Sequence, residues 1–170
     1  GTTAVTALQS TLAADLSNLT TTAVTAACVT GADIEFTGNL GKAVVTITNS
    51  NTVTFTGTPG TSSFIVATGA ELTATAAKLT GLTTSGAGTL TITSLHSTLA
   101  ADLSNMSTNT VTASFAGSGT FTGSLGSAAI TLSSNGTMTL SGTTMGSATF
   151  VIGDGSTLTG PESLLTGKTT

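Results

Sequence analysis

Basic residues are nearly absent from this chain, which has three lysines and no arginine among 170 residues. Nucleic-acid binding draws most of its affinity from Lys and Arg contacts to phosphates, so a nucleic-acid partner is not expected. Charged residues of both signs make up only 6% of the chain, and the net charge is −4. The ion-paired surface of a typical cytosolic protein is therefore missing, which favours an extracellular or cell-surface location.

Cysteine occurs once, at Cys28, which excludes an internal disulfide and a cysteine-based metal cluster. No run of 18 apolar residues exists, so no membrane span is expected. The chain begins with Gly1 and has no charged-then-apolar leader. We therefore expect that a signal has been removed or that the sequence is a segment of a longer protein.

Thr, Ser, Gly and Ala fill most of the sequence, around regularly placed aliphatic residues, and the mean hydropathy is +0.43. Such a chain can bury enough apolar surface to fold. Short alternating runs recur about every nine or ten residues, separated by Gly, Asn and Pro. Alternation at period two predicts strands with one buried face. The runs are TAVTA, IEFTG, VVTIT, TVTFTG, SFIVA, ELTAT and TLTITS.

One stretch, STLAADLSN, occurs at residues 10–18 and again at 97–105. The similarity extends through the chain and defines repeat unit 1 (1–87) and repeat unit 2 (88–170), which could form one continuous solenoid. The shared positions are chiefly Leu, Val, Ile, Phe and Gly, whereas the charged residues mostly differ. The repeat therefore predicts a duplicated packing frame and not a duplicated catalytic site.

Related apolar positions, namely Ile34, Val53, Leu72 and Leu90, follow one another at intervals of 18 to 19 residues. This period predicts an all-β, parallel β-helix-like solenoid with coils of about 18–21 residues. The length of the unit is not a multiple of 19, so the coils must be unequal or carry an insertion. The alternative is a tandem pair of immunoglobulin-like β-sandwiches, since 80 to 90 residues with seven to nine strands fit that fold.

The two ends of the chain are in phase with the repeat. The start, GTTAVTAL, matches GTLTITSL from Gly88, and the end, LTGKTT, matches LTGLTT at 79–84. Neither end has the polar cap that a solenoid usually needs. We expect a head-to-tail homo-oligomeric filament, or the continuation of a longer repeat array.

The apolar positions shared by the units predict the core. The expected core residues are Leu8, Leu12, Leu16, Val24, Phe36, Val45, Ile47, Phe55, Phe64, Leu72, Leu79, Leu95, Leu99, Leu103, Phe121, Ile130, Phe150 and Leu158. Cys28 lies opposite Phe115 in the repeat and is predicted to be a small core residue, not a reactive thiol.

No polar group in the sequence predicts a catalytic, cofactor or metal site. His96, with Ser94 and Asp102 nearby, is replaced by Gln9 in the first unit, so the repeat does not require an imidazole there. Alternation places Asp33 and Glu35 on one strand face, where a weak cation site is conceivable and solvated carboxylates are favoured.

The repeated stretch carries its own polar residues. We expect Asp15 and Asp102 to hydrogen-bond turn backbone. Asn18, Asn105 and Asn135 begin Asn-x-Ser/Thr sequons, which are not specific on their own.

Residues 71–113, ELTATAAKLTGLTTSGAGTLTITSLHSTLAADLSNMSTNTVTA, resemble the Thr/Gly/Ala-rich repeats of very large bacterial surface proteins, the adhesin-like "β-strand repeat" proteins. The resemblance implies secretion and a role in adhesion, matrix or filament formation. Relatives often carry calcium-binding nonapeptides, but VIGDGSTLTG lacks the repeated motif, so calcium is not carried over. We expect a non-enzymatic extracellular structural protein. The alternative is an adhesin stalk or a carbohydrate- or receptor-binding module.

Overall fold

The structure, a computed structural model, describes residues 1–8, 13–21, 23–28, 33–48, 52–133 and 135–167, without the side chain of Asn109. It is a parallel β-solenoid of about eight turns. The predicted fold class is confirmed. Leu12, one of the expected core residues, lies outside the described residues.

Fourteen strands and two short helices are assigned within the described residues. They are β1 (Thr2–Val5), β2 (Ala23–Cys28), β3 (Ile34–Phe36), β4 (Val44–Ile47), β5 (Thr52–Phe55), β6 (Ser63–Val66), β7 (Glu71–Thr75), α1 (Ala76–Leu79), β8 (Thr83–Thr93), β9 (Met106–Phe115), β10 (Ser118–Phe121), β11 (Ala129–Leu132), β12 (Thr137–Leu140), β13 (Thr149–Ile152), β14 (Thr157–Thr159) and α2 (Glu162–Leu165). A 3₁₀ turn, Leu95–Ser97, lies between β8 and β9.

Every strand pairing among the described residues is parallel. Immunoglobulin-like sandwiches consist of antiparallel sheets, so that alternative is wrong. The register agrees with the spacing in the sequence, because Ile34 pairs with Val53, Val53 with Leu72, and Leu72 with Leu90.

Each coil of unit 1 has three sides. The first carries β1, β2, β4 and β6, and the second carries β3, β5 and β7. The third is a narrow corner where single residues form bridges, from Asp15 to Asn39 and from Asn39 to Thr58. Alternation within the strands turns Val, Ile, Leu and Phe inward, as in β4 and β5.

Unit 2 is rotated by one side relative to unit 1. Its strands β9, β11 and β13 are the sequence equivalents of β2, β4 and β6, yet they continue the sheet of the second side. Strand β8 makes the connection, because Thr83 to Ser85 pair with β6 and Thr89 to Thr93 pair with β7, with a register shift after Gly86. A unit therefore contains four coils and one additional side, which is why 87 is not a multiple of 19.

The coils are also unequal, as the sequence allowed. Thr112 pairs with Ala129, 17 residues later, whereas Thr84 pairs with Met106, 22 residues later. The longer coil contains the 3₁₀ turn and the repeated stretch.

The predicted core is largely confirmed. Buried as expected are Leu8, Leu16, Val24, Phe36, Val45, Ile47, Phe55, Phe64, Leu72, Leu79, Leu95, Leu103, Phe121, Ile130 and Phe150. Leu99 and Leu158 are only half-buried. Leu99 lies over Gly119 of the next coil, since a Cβ there would come 2.9 Å from Leu99 Cδ2, and Leu158 lies in the last strand.

Candidate interaction surface at the two ends of the solenoid

The C-terminal end of the solenoid exposes residues whose equivalents in unit 1 are buried. Ile152 of β13 is 36% exposed, whereas its equivalent Val66 is 0% exposed. Leu158 of β14 is half-buried, whereas its equivalent Leu72 is 0% exposed. The difference arises because the next coil covers β6 and β7, while no described residue pairs with the outer edges of β13 and β14.

The two short helices show the same contrast. Helix α1 buries Ala76 and Leu79 beside the 3₁₀ turn of the next unit. The equivalent helix α2 has no buried residue, and Leu165, the equivalent of Leu79, is only half-buried. We call the outer edges of β13 and β14 together with α2 the C-terminal end surface.

The N-terminal end has a complementary open strand. Thr3 and Val5 of β1 are half-buried, whereas their equivalents in β8, Leu90 and Ile92, are 0% exposed. Strand β1 pairs with β2 on one edge only among the described strands. An unpaired strand edge can accept a strand from another chain.

The joint between units 1 and 2 shows how such an end is covered within this chain. Strand β8 adds to β7 and β6, and its residues Gly86 and Gly88 lie against Val66. A Cβ at Gly88 would come 2.6 Å from Val66 Cγ1, so the absence of a side chain permits this close approach.

Asp15 and Asp102, the acids of the repeated stretch, make the same turn in both units. Asp15 Oδ1 accepts hydrogen bonds from Ser17 N (2.9 Å) and Ser17 Oγ (2.6 Å). Asp102 Oδ1 accepts them from Ser104 N (3.0 Å) and Ser104 Oγ (2.6 Å). The predicted role in turn backbone is confirmed. The serine hydroxyl and then the serine amide hold the pKa of each carboxyl below its ordinary value.

Replacing Ser104 by alanine is expected to raise the pKa of Asp102 towards its ordinary value, because the hydroxyl is the largest cause of the depression. Asp15 keeps its own serine and should titrate unchanged, as an internal control. A depressed carboxyl pKa stabilises the fold above the unfolded-state pKa, and that contribution disappears as the pH falls through the folded-state value. NMR titration measures the pKa of both carboxyls. An unchanged pKa of Asp102 in the variant would contradict the conclusion that the Ser104 hydroxyl lowers it.

Asp33 and Glu35, the two acids that alternation places on one strand face, bond to the next coil. Asp33 Oδ1 accepts a hydrogen bond from Thr52 N (3.1 Å), and Glu35 Oε1 accepts one from Thr56 Oγ1 (3.0 Å). Both acids are exposed. In the part of the chain that the structure describes, no three His, Cys, Asp or Glu side chains are grouped as a metal site would need.

His96 lies in the 3₁₀ turn with its ring edge-on to Phe115, at a centroid distance of 6.1 Å. Its Nε2 is 3.4 Å from Ser97 Oγ, and its buried Nδ1 has no partner among the described residues. Within the described ranges, no hydrogen bond joins it to Ser94 or Asp102.

Cys28 is buried, as predicted, with 1% of its surface exposed. Burial raises the pKa of its thiol to about 11, and the thiolate is the reactive form. The asparagines of the three sequons are exposed.

Two grooves follow one corner of the solenoid. One, of about 340 Å³, is lined by Thr61, Ser62 and their neighbours in the next coil. The other, of about 390 Å³, is lined mainly by serines of three successive coils, together with Met106, Thr144 and two glycines. Ser62 Oγ and Ser124 Oγ, one in each groove, are buried with no hydrogen-bond partner among the described residues.

Over the described residues, no helix combines the length and apolar character needed to cross a bilayer. Comparison of the chain with protein-family models, curated proteins and solved structures finds no match.

Sequence reasoning predicted open ends but did not identify Ile152 or Val151, which are 36% and 58% exposed. Comparing each residue of the last coil with its equivalent in unit 1 could have found Ile152.

Proposed function

We propose that this chain is a non-enzymatic structural protein of the bacterial exterior whose solenoid extends head to tail. The next coil is supplied by a further repeat of a longer polypeptide or by a second copy of the chain. The observation that carries the proposal is the contrast between Val66, which is 0% exposed inside the joint, and Ile152, which is 36% exposed at the end. A large apolar side chain left at an open sheet edge favours association.

Stacking should be abolished by Ile152→Lys. The equivalent residue is fully buried in the internal joint, so a joint of the same kind would have to bury the new ammonium without a partner. Growth is measured by sedimentation velocity and electron microscopy over a range of concentrations. Circular dichroism checks that the solenoid still folds. Folding is expected, because a lysine at position 152 can keep its ammonium group in water when the end is free.

Val151→Lys is the matched control. It introduces the same charge one residue away, but its equivalent Ile65 remains 40% exposed inside the internal joint. Assembly should therefore persist. If the unaltered chain stays monomeric at high concentration, assembly of copies is refuted. If both variants lose assembly equally, the burial of Ile152 in the contact is refuted.

An adhesin or carbohydrate-binding module is the second candidate, and the two hydroxyl-lined grooves favour it. Their volumes fall within the range of ligand pockets, and Ser62 Oγ and Ser124 Oγ, which are buried in the grooves, have no hydrogen-bond partner among the described residues. A glycan array tests this: saturable binding that Ser62→Ala and Ser124→Ala weaken would support it. A broad hydrolase screen tests the non-enzymatic assignment, since turnover that His96→Ala abolishes would contradict it.

A further inference from the structure

We propose that the C-terminal end surface binds β1 of a second copy in one defined register: Thr157 opposite Thr2, Leu158 opposite Thr3, and Thr159 opposite Ala4. This inference rests on the proposed head-to-tail extension and specifies its geometry. It makes β14 and β1 the two halves of the contact.

The register follows from the joint between the two units. There, Glu71 pairs with Thr89, Leu72 with Leu90, and Thr73 with Thr91. The repeat places residues 157–159 at the positions of 71–73, and residues 2–4 at the positions of 89–91. Substituting equivalents into the observed pairs gives the proposed ones.

The side-chain alternation of β14 and β1, which each have one open edge among the described strands, independently agrees with this register. In β14 only Leu158 is half-buried, between two exposed threonines. In β1 Thr3 is half-buried, between exposed Thr2 and Ala4. The proposed register brings half-buried residues together inside the solenoid, whereas a shift by one residue would place Thr3 against an outward-facing threonine.

The adjoining first side fits as well. Gly88 lies against Val66 in the internal joint, and the equivalents of this pair are Gly1 and Ile152. Apart from its chain neighbour, no atom of the described residues lies within 4 Å of a Cβ built on Gly1. A second copy can therefore place a glycine against Ile152, at the position where the internal joint has Gly88 against Val66. The contact would bury Ile152 together with Leu158.

Engineered disulfides test the register. Partners in neighbouring parallel strands are about 4.8 Å apart, which lies within the Cα separation that a disulfide accepts. The double variant Ala4→Cys/Thr159→Cys should therefore give a ladder of covalent oligomers on a non-reducing gel after mild oxidation. Both positions are exposed in the free chain, and the native Cys28 is buried, with its thiol pKa raised to about 11.

The matched control is Thr2→Cys/Thr159→Cys, which moves one cysteine by two residues on the same face of β1. The Cα separation then becomes about 8 Å, beyond the range of a disulfide. This variant should assemble without forming the covalent ladder.

The outcomes separate the two proposals. Filaments in which the control pair crosslinks as well as the proposed pair, or in which neither crosslinks, would overturn the register and leave head-to-tail extension standing. Monomers in both variants and in the unaltered chain would overturn extension by a second copy and the register with it. For the unaltered filament, about eight turns per chain give an expected axial rise of about 40 Å, which electron microscopy measures without any substitution.

Discussion

Gly57→Ala is expected to destabilise the solenoid by at least about 3 kcal/mol, the upper part of the usual range for overpacking. A Cβ at Gly57 would meet the backbone carbonyl oxygen of Gly38 in the preceding coil at far less than van der Waals distance. The same oxygen accepts a hydrogen bond from Thr58 N at 2.9 Å. The two coils would have to separate at this corner, and a backbone atom cannot move aside as a flexible side chain does.

Gly142→Ala is the control for this prediction, because Gly142 follows the end of β12 at the same distance as Gly57 follows the end of β5. Apart from its own chain neighbours, no atom of the described residues lies within 4 Å of its Cβ position, although its φ of 67° is left-handed. The expected cost is the conformational penalty of about 1–2 kcal/mol. Chemical denaturation followed by circular dichroism measures both, since the chain has no Trp or Tyr. A smaller loss for Gly57→Ala than for Gly142→Ala would contradict the close approach of the coils.

Leu103→Ala is expected to cost roughly 2–5 kcal/mol, the usual range for truncating a buried leucine. Leu103 is 0% exposed, and its amide donates to Ser124 O of the next coil at 2.9 Å. A cavity at this position would loosen a corner that joins two coils. Thermal unfolding measures the effect.

Leu99→Ala, in the same repeated stretch, is the comparison for Leu103→Ala. Leu99 is half-buried, so its truncation should cost less. An unchanged unfolding temperature for Leu103→Ala would mean that the repeated stretch is not a core corner.

The strands and their register could be predicted because they depend on local patterns. Alternation sets which residues face inward, and the 19-residue interval sets which residues pair, as Val53 and Leu72 show. The rotation between units could not be predicted, since it depends on the path of β8 around a corner with a register shift between Gly86 and Thr89. The sequence showed only that the unit length of 87 residues is not a multiple of the 19-residue interval between paired strands.

The sequence could predict that the candidate site lies at the ends of the solenoid, but not which side chains are exposed there. The phase of the two ends indicated that both were open, but the pattern that predicts burial is identical for Leu72 and Leu158. Only the presence of a following coil separates the 0% exposure of Leu72 from the partial exposure of Leu158. Burial in a solenoid therefore depends on neighbouring coils as well as on local sequence.

The pairing of each coil with its immediate neighbours also determines how the protein would respond to tension. The strand pairs join residues about one coil apart in sequence, as in Thr25 with Val44 and Val44 with Ser63. A chain pulled from one end can therefore lose its outermost coil while the inner coils remain paired. Each lost coil of about 19 residues would release roughly 65 Å of extended chain. Such stepwise lengthening would dissipate mechanical work before the whole solenoid unfolded.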